Sequence, residues 1–525
     1  MDNYLSRRQF LDFMGRTSAA VSIGLTGLAG KTALGFASRR PSAPSFAMSP
    51  SADDKVVLAR GLSYSLLAKL GDPLNSKGDT FGNDNDFIAV VAQSGNEALL
   101  WVNHETPNHL TLFNGQARPR SRSEVLNEMK AVGGSVLHLK RNGGIWELVK
   151  NSPRNRRVTG ATEIAFSGKT RVAGSFKAHG TLANCSGGVT PWNTILSCEE
   201  NFEDYYGDGK GSKSRYGWET AFERPAEHYG WVVEINPLTG EARKLIAGGR
   251  FSHEGATVTQ AKDGRAVFYS GDDAEDQCLF KFISDRKDSL ETGTLYVADT
   301  LKGRWIPLAV DQNPELKKKY KEQLQVCIHA REAAHLVGGT ALDRPEGIAV
   351  DPKTGAVIIA LTNNRSRDNH YGSLLRIDEL GGDAGALSFK SSTLVTGGES
   401  TGFACPDNVV FDRNGDLWFT SDISGSALGA PPYSAFKNNG LFLVPLSGPM
   451  AGKAFQMASA PKEAEFTGPC FSADGKTLFL SVQHPGERSQ SLKNPTSRWP
   501  DPAGIPRSAV IALSGPALDA SLRYT

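Results

Sequence analysis

The sequence predicts an all-β fold, a six-bladed β-propeller with short helical insertions. Three observations carry that prediction. Six apolar runs each end abruptly in a cluster of metal-capable polar residues: Asn103-His104-Glu105, Cys198-Glu199-Glu200-Asn201, Gly271-Asp272-Asp273, Asn363-Asn364-Arg365, Asp422 and Gln483-His484. The later copies read as hairpins, an apolar strand, an Asp/Asn-Gly turn and a second strand. Gly (56) and Pro (27) are abundant, and strong helical signals are few. Repeats of about 40–50 residues with four strands each mark a propeller. Such a fold gathers one edge of every blade around a channel and would converge all six clusters.

The elements follow in chain order. Ser6-Arg7-Arg8-Gln9-Phe10-Leu11 is a twin-arginine export motif. The weakly apolar stretch Thr17–Leu28 is too short for a stable membrane span, and Gly35-Phe36-Ala37 or Ser45-Phe46-Ala47 offers a cleavage site. Residues 1–47 are therefore expected to be a twin-arginine signal peptide. Residues 48–525 are expected to be a single propeller domain, monomeric, handled by the twin-arginine translocation machinery and periplasmic or secreted. The first hairpins run from Asp84-Asn85-Asp86 to His104-Glu105, from Ser186-Gly187-Gly188 to Cys198-Glu199, and from Ser252-His253-Glu254-Gly255 to Asp272-Asp273. Between them, Ser121-Arg122-Ser123-Glu124 forms a capping box ahead of Val125, Leu126 and Met129. An insertion is expected over about 275–340, with a helical stripe Leu316, Tyr320, Leu324 after Pro314. The last three hairpins start at Pro345-Glu346, Pro406-Asp407 and Gly468-Pro469. A hairpin returns the chain to the face it left, so Glu346 and Asn363 share a face, as do Asp407 and Asp422.

Composition excludes several classes. The net charge is +2, and no basic face or stacking-aromatic pattern suggests nucleic acid. The six cysteines (185, 198, 278, 327, 405 and 470) include no C-x-x-C pair, which argues against a zinc ribbon or dithiol site. No G-x-S-x-G elbow, H-E-x-x-H, Walker loop or strand-following G-x-G-x-x-G is present. What remains is the polar ring. Carboxylates and amides suit hard cations, and a thiolate beside carboxylates suits iron or zinc. Glu199, Glu254, Asp273 and Glu346 come from four hairpins and would repel one another unless cations sat between them. Crowded cations can hold an oxyanion and activate an attacking oxygen. Cys198 stands out because Glu199 and Glu200 follow it directly, and Asp407 joins the candidates from its own hairpin. His179 and His253 are weaker ligand candidates. Two other readings stay open: a calcium-dependent lactonase-like propeller, suited by Pro406-Asp407-Asn408 with Phe419-Thr420-Ser421-Asp422, and a non-catalytic propeller stapled by its metals.

Several stretches resemble the PhoX-type alkaline phosphatases, an exported family. They are Phe81-Gly82-Asn83-Asp84-Asn85-Asp86-Phe87, Trp101-Val102-Asn103-His104-Glu105, Ser152-Pro153-Arg154-Asn155-Arg156-Arg157-Val158-Thr159, Gly180-Thr181-Leu182-Ala183-Asn184-Cys185 through Thr190-Pro191-Trp192 to Cys198-Glu199-Glu200-Asn201, Gly249-Arg250-Phe251-Ser252-His253-Glu254-Gly255, Gly271-Asp272-Asp273, Asp343-Arg344-Pro345-Glu346 and Leu361-Thr362-Asn363-Asn364. The resemblance implies a six-bladed propeller that hydrolyses small phosphate monoesters with two ferric ions and several calcium ions (Fe3+, Ca2+) around a bridging oxide. By position it implies Cys198 as the iron thiolate, with Glu199, Glu254, Asp273 and Glu346 completing the cluster; Glu200 and Asp407 are further candidate metal ligands. Arg365 or Arg367, after Asn364, would contact phosphate, as a guanidinium fork does well. Two departures stand out: Asn193 where the family usually has Gly, and Gly347 where it usually has Trp.

Overall fold

Each polar cluster in the sequence closes one hairpin of a ring. The computed structural model describes residues 47–113, 121–208 and 213–519. The twin-arginine motif, the apolar stretch after it and the Gly35-Phe36-Ala37 site lie outside the described residues, as does most of Ser45-Phe46-Ala47. Among the described residues six sheets follow one another, antiparallel except for one parallel pair in the second (Ala242–Leu245 beside Glu163–Phe166), and their innermost strands are Asn85–Ser94, Asn184–Val189, His253–Gln260, Pro345–Val350, Pro406–Phe411 and Glu465–Phe471. We number the blades 1 to 6 in that order. Blade 6 is completed by Ser63–Lys69 from the other end of the chain, paired antiparallel with Ala509–Ser514, so the ring is closed by hydrogen bonds.

Strand alternation sends every second side chain toward a neighbouring blade, and one apolar layer fills each of the six interfaces. Trp101, Val136, Ile195 and Val233 lie between blades 1 and 2. Leu196, Cys198, Phe268 and Phe280 lie between blades 2 and 3. The other four interfaces repeat the arrangement.

The insertion expected over 275–340 divides into two parts. Leu279–Ser284, Gly293–Asp299 and Arg304–Pro307 are regular outer strands of blade 3. The helices Pro314–Lys319, Gln323–Ile328 and Ala330–Leu336 are inserted, as is the short strand Glu275–Gln277, which pairs with Leu342–Asp343 outside the blades. The stripe at 316, 320 and 324 is not one helix, because Tyr320 is extended (φ −113°, ψ 138°) and separates two short ones. The capping box is formed as expected: the Ser121 hydroxyl accepts from the Glu124 amide, and Arg122–Ala131 is helical.

One irregularity recurs in all six blades. Between Asn85 and Ile88 the inner strand advances three residues while its partner advances two, from His104 to Val102. The same β-bulge falls between Asn184 and Gly187, Glu254 and Thr257, Pro345 and Ile348, Pro406 and Val409, and Thr467 and Cys470. A bulge bends the strand and re-aims its side chains. Here it turns residues near the top of each inner strand toward the channel. The approach is close: a Cβ on Gly188 would stand 1.9 Å from the Ala256 carbonyl oxygen.

Candidate metal centre

The channel has two chemically distinct ends. One is an apolar cavity of about 500 Å³ walled by all six inner strands, through residues such as Val90, Val189, Val258, Val350, Val410 and Phe471. At the bulges the lining turns acidic. Asp86, Cys185, Glu346 and Asp407 occupy the same place in four blades, one residue past the last regular pair, and are all buried. Glu254 enters one residue earlier in blade 3. Glu105, Glu200 and Asp273 arrive just past the ends of the second strands. The ligand atoms of Asp86, Glu105 and Cys185 all lie within 4.8 Å of one another, and so do those of Cys185, Glu200 and Glu254. Cys185 belongs to both groups.

Crowding of these buried carboxyls disfavours their ionised forms. Burial first, then negative neighbours, pushes the carboxyls of Glu200, Glu254 and Asp407 well above the ordinary range. Burial lifts Asp86 to about 6, and burial with Asp86 nearby lifts Glu105 to about 8. The Cys185 thiol is pushed far up by burial and by Asp86, to which it donates at 3.2 Å. Asp86 Oδ1 is buried without a hydrogen-bond partner. Arg344 supplies the principal positive charge. Its Nε and Nη2 grip Asp273 at 2.8 and 2.9 Å, and Nη2 lies 2.6 Å from Glu346. Burial opposes ionisation of Asp273, but the Arg344 charge prevails and holds its carboxyl below the usual value. Glu346 stays well above it, because burial outweighs Arg344. Arg344 has φ +54° and follows the ribbon made by Glu275–Gln277 and Leu342–Asp343, which sets its place at the mouth. One thiol among converging carboxylates, two of which (Asp86 and Glu346) have a buried oxygen without a hydrogen-bond partner, is a donor set that fits bound cations.

A second pocket of about 580 Å³ opens on the same acidic edge, lined by Asp84, Glu105, Asp422, Glu465, His484 and Glu487 among others. His484 pairs with Glu465 at 3.0 Å.

The structure brings Glu200, Glu254, Asp273, Glu346 and Asp407 together and places the other candidates elsewhere. Cys198 is adjacent to Glu199 in sequence but alternates with it in the strand, so its side chain packs in the apolar layer between blades 2 and 3, against the Gly255 backbone and behind Glu254. Glu199 is spent on a buried ion pair. It meets Lys244 Nζ at 2.6 Å, both side chains fully buried, and accepts from the amides of Gly230 and Trp231. Changing Lys244 to Ala would strand that charge and is expected to cost about 3–5 kcal/mol in chemical denaturation. Arg365 and Arg367 lie on the exposed turn Arg365–Arg367, outside the acidic group. Arg367 is held by Asp276 at 2.6 Å, and Asn364 caps the turn, accepting from the Arg367 amide and donating to Asp276. His253 is fully bonded between Ser270 and Gly249, and burial lowers it to about 3. All six cysteines are unpaired. Sequence reasoning places Glu105 in one of the six strand-end clusters and Asp86 at the start of its hairpin, but it does not single out Cys185 or Arg344, although both stand in stretches that carry the family resemblance.

Two substitutions against the usual pattern have local explanations. Asn193 sits at φ +61°, a conformation glycine favours and asparagine tolerates. A side chain at Gly347 would carry its Cβ to 2.3 Å from the Asp407 carbonyl oxygen.

Comparison with known proteins gives a consistent picture. The family model for alkaline phosphatase PhoX matches residues 45–486. No curated protein matches the sequence. Among solved structures, Pseudomonas fluorescens PhoX, in complex with vanadate, a transition state analogue, is similar with a TM-score of 0.82 and 29% identity, covering 92% of this chain and 100% of that one. A Dyadobacter fermentans protein of unknown function gives 0.40 at 12% identity, covering 87% and 100%. A Xanthomonas campestris gluconolactonase gives 0.35 at 13%, covering 90% and 98%.

Proposed function

Because the chain belongs to the alkaline phosphatase PhoX family, we infer that it hydrolyses phosphate monoesters at the acidic mouth of its channel. The observation that carries this reading is the convergence of Cys185 with buried carboxylates from several blades, beside the Arg344 fork. The vanadate complex of the Pseudomonas relative supports it, since vanadate in that protein stands for a phosphoryl group in transfer. A lactonase-like calcium site has no need of a thiol among its carboxylates.

The residues that would hold a mixed ferric and calcium centre are Cys185, Asp86, Glu105, Glu200, Glu254, Asp273, Glu346 and Asp407. Sulfur and carboxylate together suit iron, and the further carboxylate oxygens suit calcium. When bound, such ions supply positive charge for the phosphoryl oxygens and acidify the attacking water. The chain's own part is orientation. Arg344 is anchored through Nε and Nη2, while Nη1 has Asp422 at 3.9 Å as its nearest ionic neighbour. That nitrogen is left to donate to a phosphate oxygen. Its anchors keep the guanidinium plane fixed before substrate arrives, so little orientation is lost on binding. The pocket beside it, walled by Thr106, Asn108, Ser424 and Ser489, leaves room for the departing alcohol.

Arg344→Ala tests the assignment. A charged hydrogen bond is worth about 1.5–3 kcal/mol, so kcat/KM for p-nitrophenyl phosphate should fall roughly 10–100-fold. Because Arg344 also grips Asp273 and Glu346, the kinetics should be compared at equal iron and calcium loading. Arg365→Ala and Arg367→Ala should stay within about twofold of the unaltered protein. Unchanged kinetics in Arg344→Ala would remove the clamp.

Export is inferred from Ser6-Arg7-Arg8-Gln9-Phe10-Leu11, which supports passage of the folded monomer through the twin-arginine machinery to the periplasm or beyond. Among the described residues, no helix is long and apolar enough to cross a membrane.

A further inference from the structure

The last inserted helix carries an arginine that touches Asp272, Ser252 and Glu203, each within three residues of Asp273, Glu254 or Glu200. Arg331, in the helix Ala330–Leu336, donates from Nε to Asp272 Oδ2 at 2.8 Å and from Nη2 to Asp272 Oδ1 at 2.6 Å. Nη2 also reaches the Ser252 hydroxyl at 2.8 Å, and Nη1 reaches Glu203 at 3.4 Å. Asp272 precedes Asp273, Ser252 stands two residues before Glu254, and Glu203 three after Glu200. The contacts interlock, because the Ser252 amide donates to Asp272 Oδ1 at 3.2 Å and the Asp273 amide donates to the Ser252 carbonyl at 3.0 Å.

The helix that carries Arg331 is itself firmly seated. Ala330, Ala333 and Ala334 are fully buried in the apolar layer between blades 2 and 3. Its small side chains let it lie close: a Cβ on Gly249 would be 3.0 Å from the Ala330 Cβ. The Arg250 amide donates to the Cys327 carbonyl at 2.8 Å, pinning the preceding helix as well. Arg331 therefore ties these residues to a seated helix.

We propose that Arg331 is a positioning residue, a brace through which the inserted helices fix the spacing of Glu200, Glu254 and Asp273. Its own contacts are with Asp272, Ser252 and Glu203, one to three residues from the groups that would hold the ions. The proposal rests on the metal-centre reading above for its consequence, though not for its geometry. Residues that orient metal ligands from behind are typically worth about 10–100-fold in metal affinity or activity.

The test uses the full mature chain, loaded with ferric iron and calcium, as Arg331→Ala and Arg331→Lys variants. Lysine keeps the charge and loses the fork. Both variants should lose metal to a chelator about 10–100-fold faster than the unaltered protein. Added guanidinium should slow that loss in Arg331→Ala. Metal loss at the unaltered rate in the lysine variant would overturn the proposal, whatever the melting temperature does. Should Arg331→Ala fail to fold, the lysine variant decides alone. Hydrogen exchange on metal-free protein separates this from a failure of the metal-centre reading. Protection should drop locally, at residues 200–203, 252–254 and 271–273, in the lysine variant. Exchange unchanged there, or raised evenly across all six blades, would also overturn the brace, even if the unaltered protein bound no metal.

Discussion

Cys185→Ala is expected to remove iron, colour and phosphatase activity together, while Cys198→Ala keeps all three. The two thiols stand in consecutive strands of blade 2, both buried, yet they face different surroundings. Cys185 lies at a bulge, within 4.8 Å of the ligand atoms of Asp86 and Glu105 and of Glu200 and Glu254. Burial and those negative neighbours hold it protonated in the bare protein, so it gains a role only when a cation takes the place of its proton. A thiolate on ferric iron gives visible charge-transfer absorption, which should vanish in Cys185→Ala. Activity should fall by roughly a hundredfold or more, since a direct ligand matters at least as much as the residues that orient it. Cys198 touches the apolar layer shared with Leu196, Val232 and Phe268. Shortening it should cost on the order of 1 kcal/mol in stability and nothing in metal. Iron analysis, a visible spectrum and p-nitrophenyl phosphate turnover on both variants decide the matter. Colour surviving in Cys185→Ala and lost in Cys198→Ala would reverse the assignment.

The difference between these thiols marks where sequence reasoning stops. The hairpins were legible because each turn carries Gly or Asn and each strand is a short apolar run. Their pairing followed, with Asn85 opposite His104, Pro345 opposite Leu361 and Pro406 opposite Ser421. The bulge was not legible, since nothing in Asn184-Cys185-Ser186-Gly187 announces an extra residue. Aligning the hairpins on their turns would have supplied a hint, because Cys185, Glu346 and Asp407 then fall in one column, while a second bulge between Val90 and Ala92 shifts Asp86 out of it. Sequence adjacency favoured Cys198-Glu199-Glu200 instead, yet along a strand adjacent side chains point to opposite faces. Only Glu200, beyond the strand, turns into the site. Arg344 was hidden differently: its place depends on the ribbon between residues 275–277 and 342–343, a pairing across more than sixty residues with no local signature. Arg331 lay in an insertion that sequence marks only as a helical decoration.

Stripping the metals should make the fold sensitive to alkali. In the bare protein Asp86 is raised from 3.8 to about 6 and Glu105 from 4.5 to about 8, chiefly by burial. A carboxyl whose folded value lies above its unfolded one favours folding when protonated. That contribution is complete below the unfolded value and is lost as pH rises through the folded one. Between about pH 4 and 8 the unfolded chain therefore releases protons that the folded chain still holds, and stability falls. A tenfold difference in proton affinity between the two states corresponds to about 1.4 kcal/mol, so these two groups together amount to several kcal/mol by about pH 9. Asp273 acts in the opposite sense, because Arg344 holds it low; its contribution is already complete above the unfolded value of 3.8 and does not offset the loss. Bound cations reverse the balance by favouring the ionised carboxylates. Melting temperatures of chelator-treated and of iron- and calcium-loaded protein, taken from about pH 5 to pH 9, should diverge as pH rises. A gap that narrows toward alkaline pH would mean that these carboxylates do not carry the metals. A widening gap would tie the acidic ring to the conditions in which an alkaline phosphatase works, since the ionisation that loosens the empty site is the one that tightens the filled one.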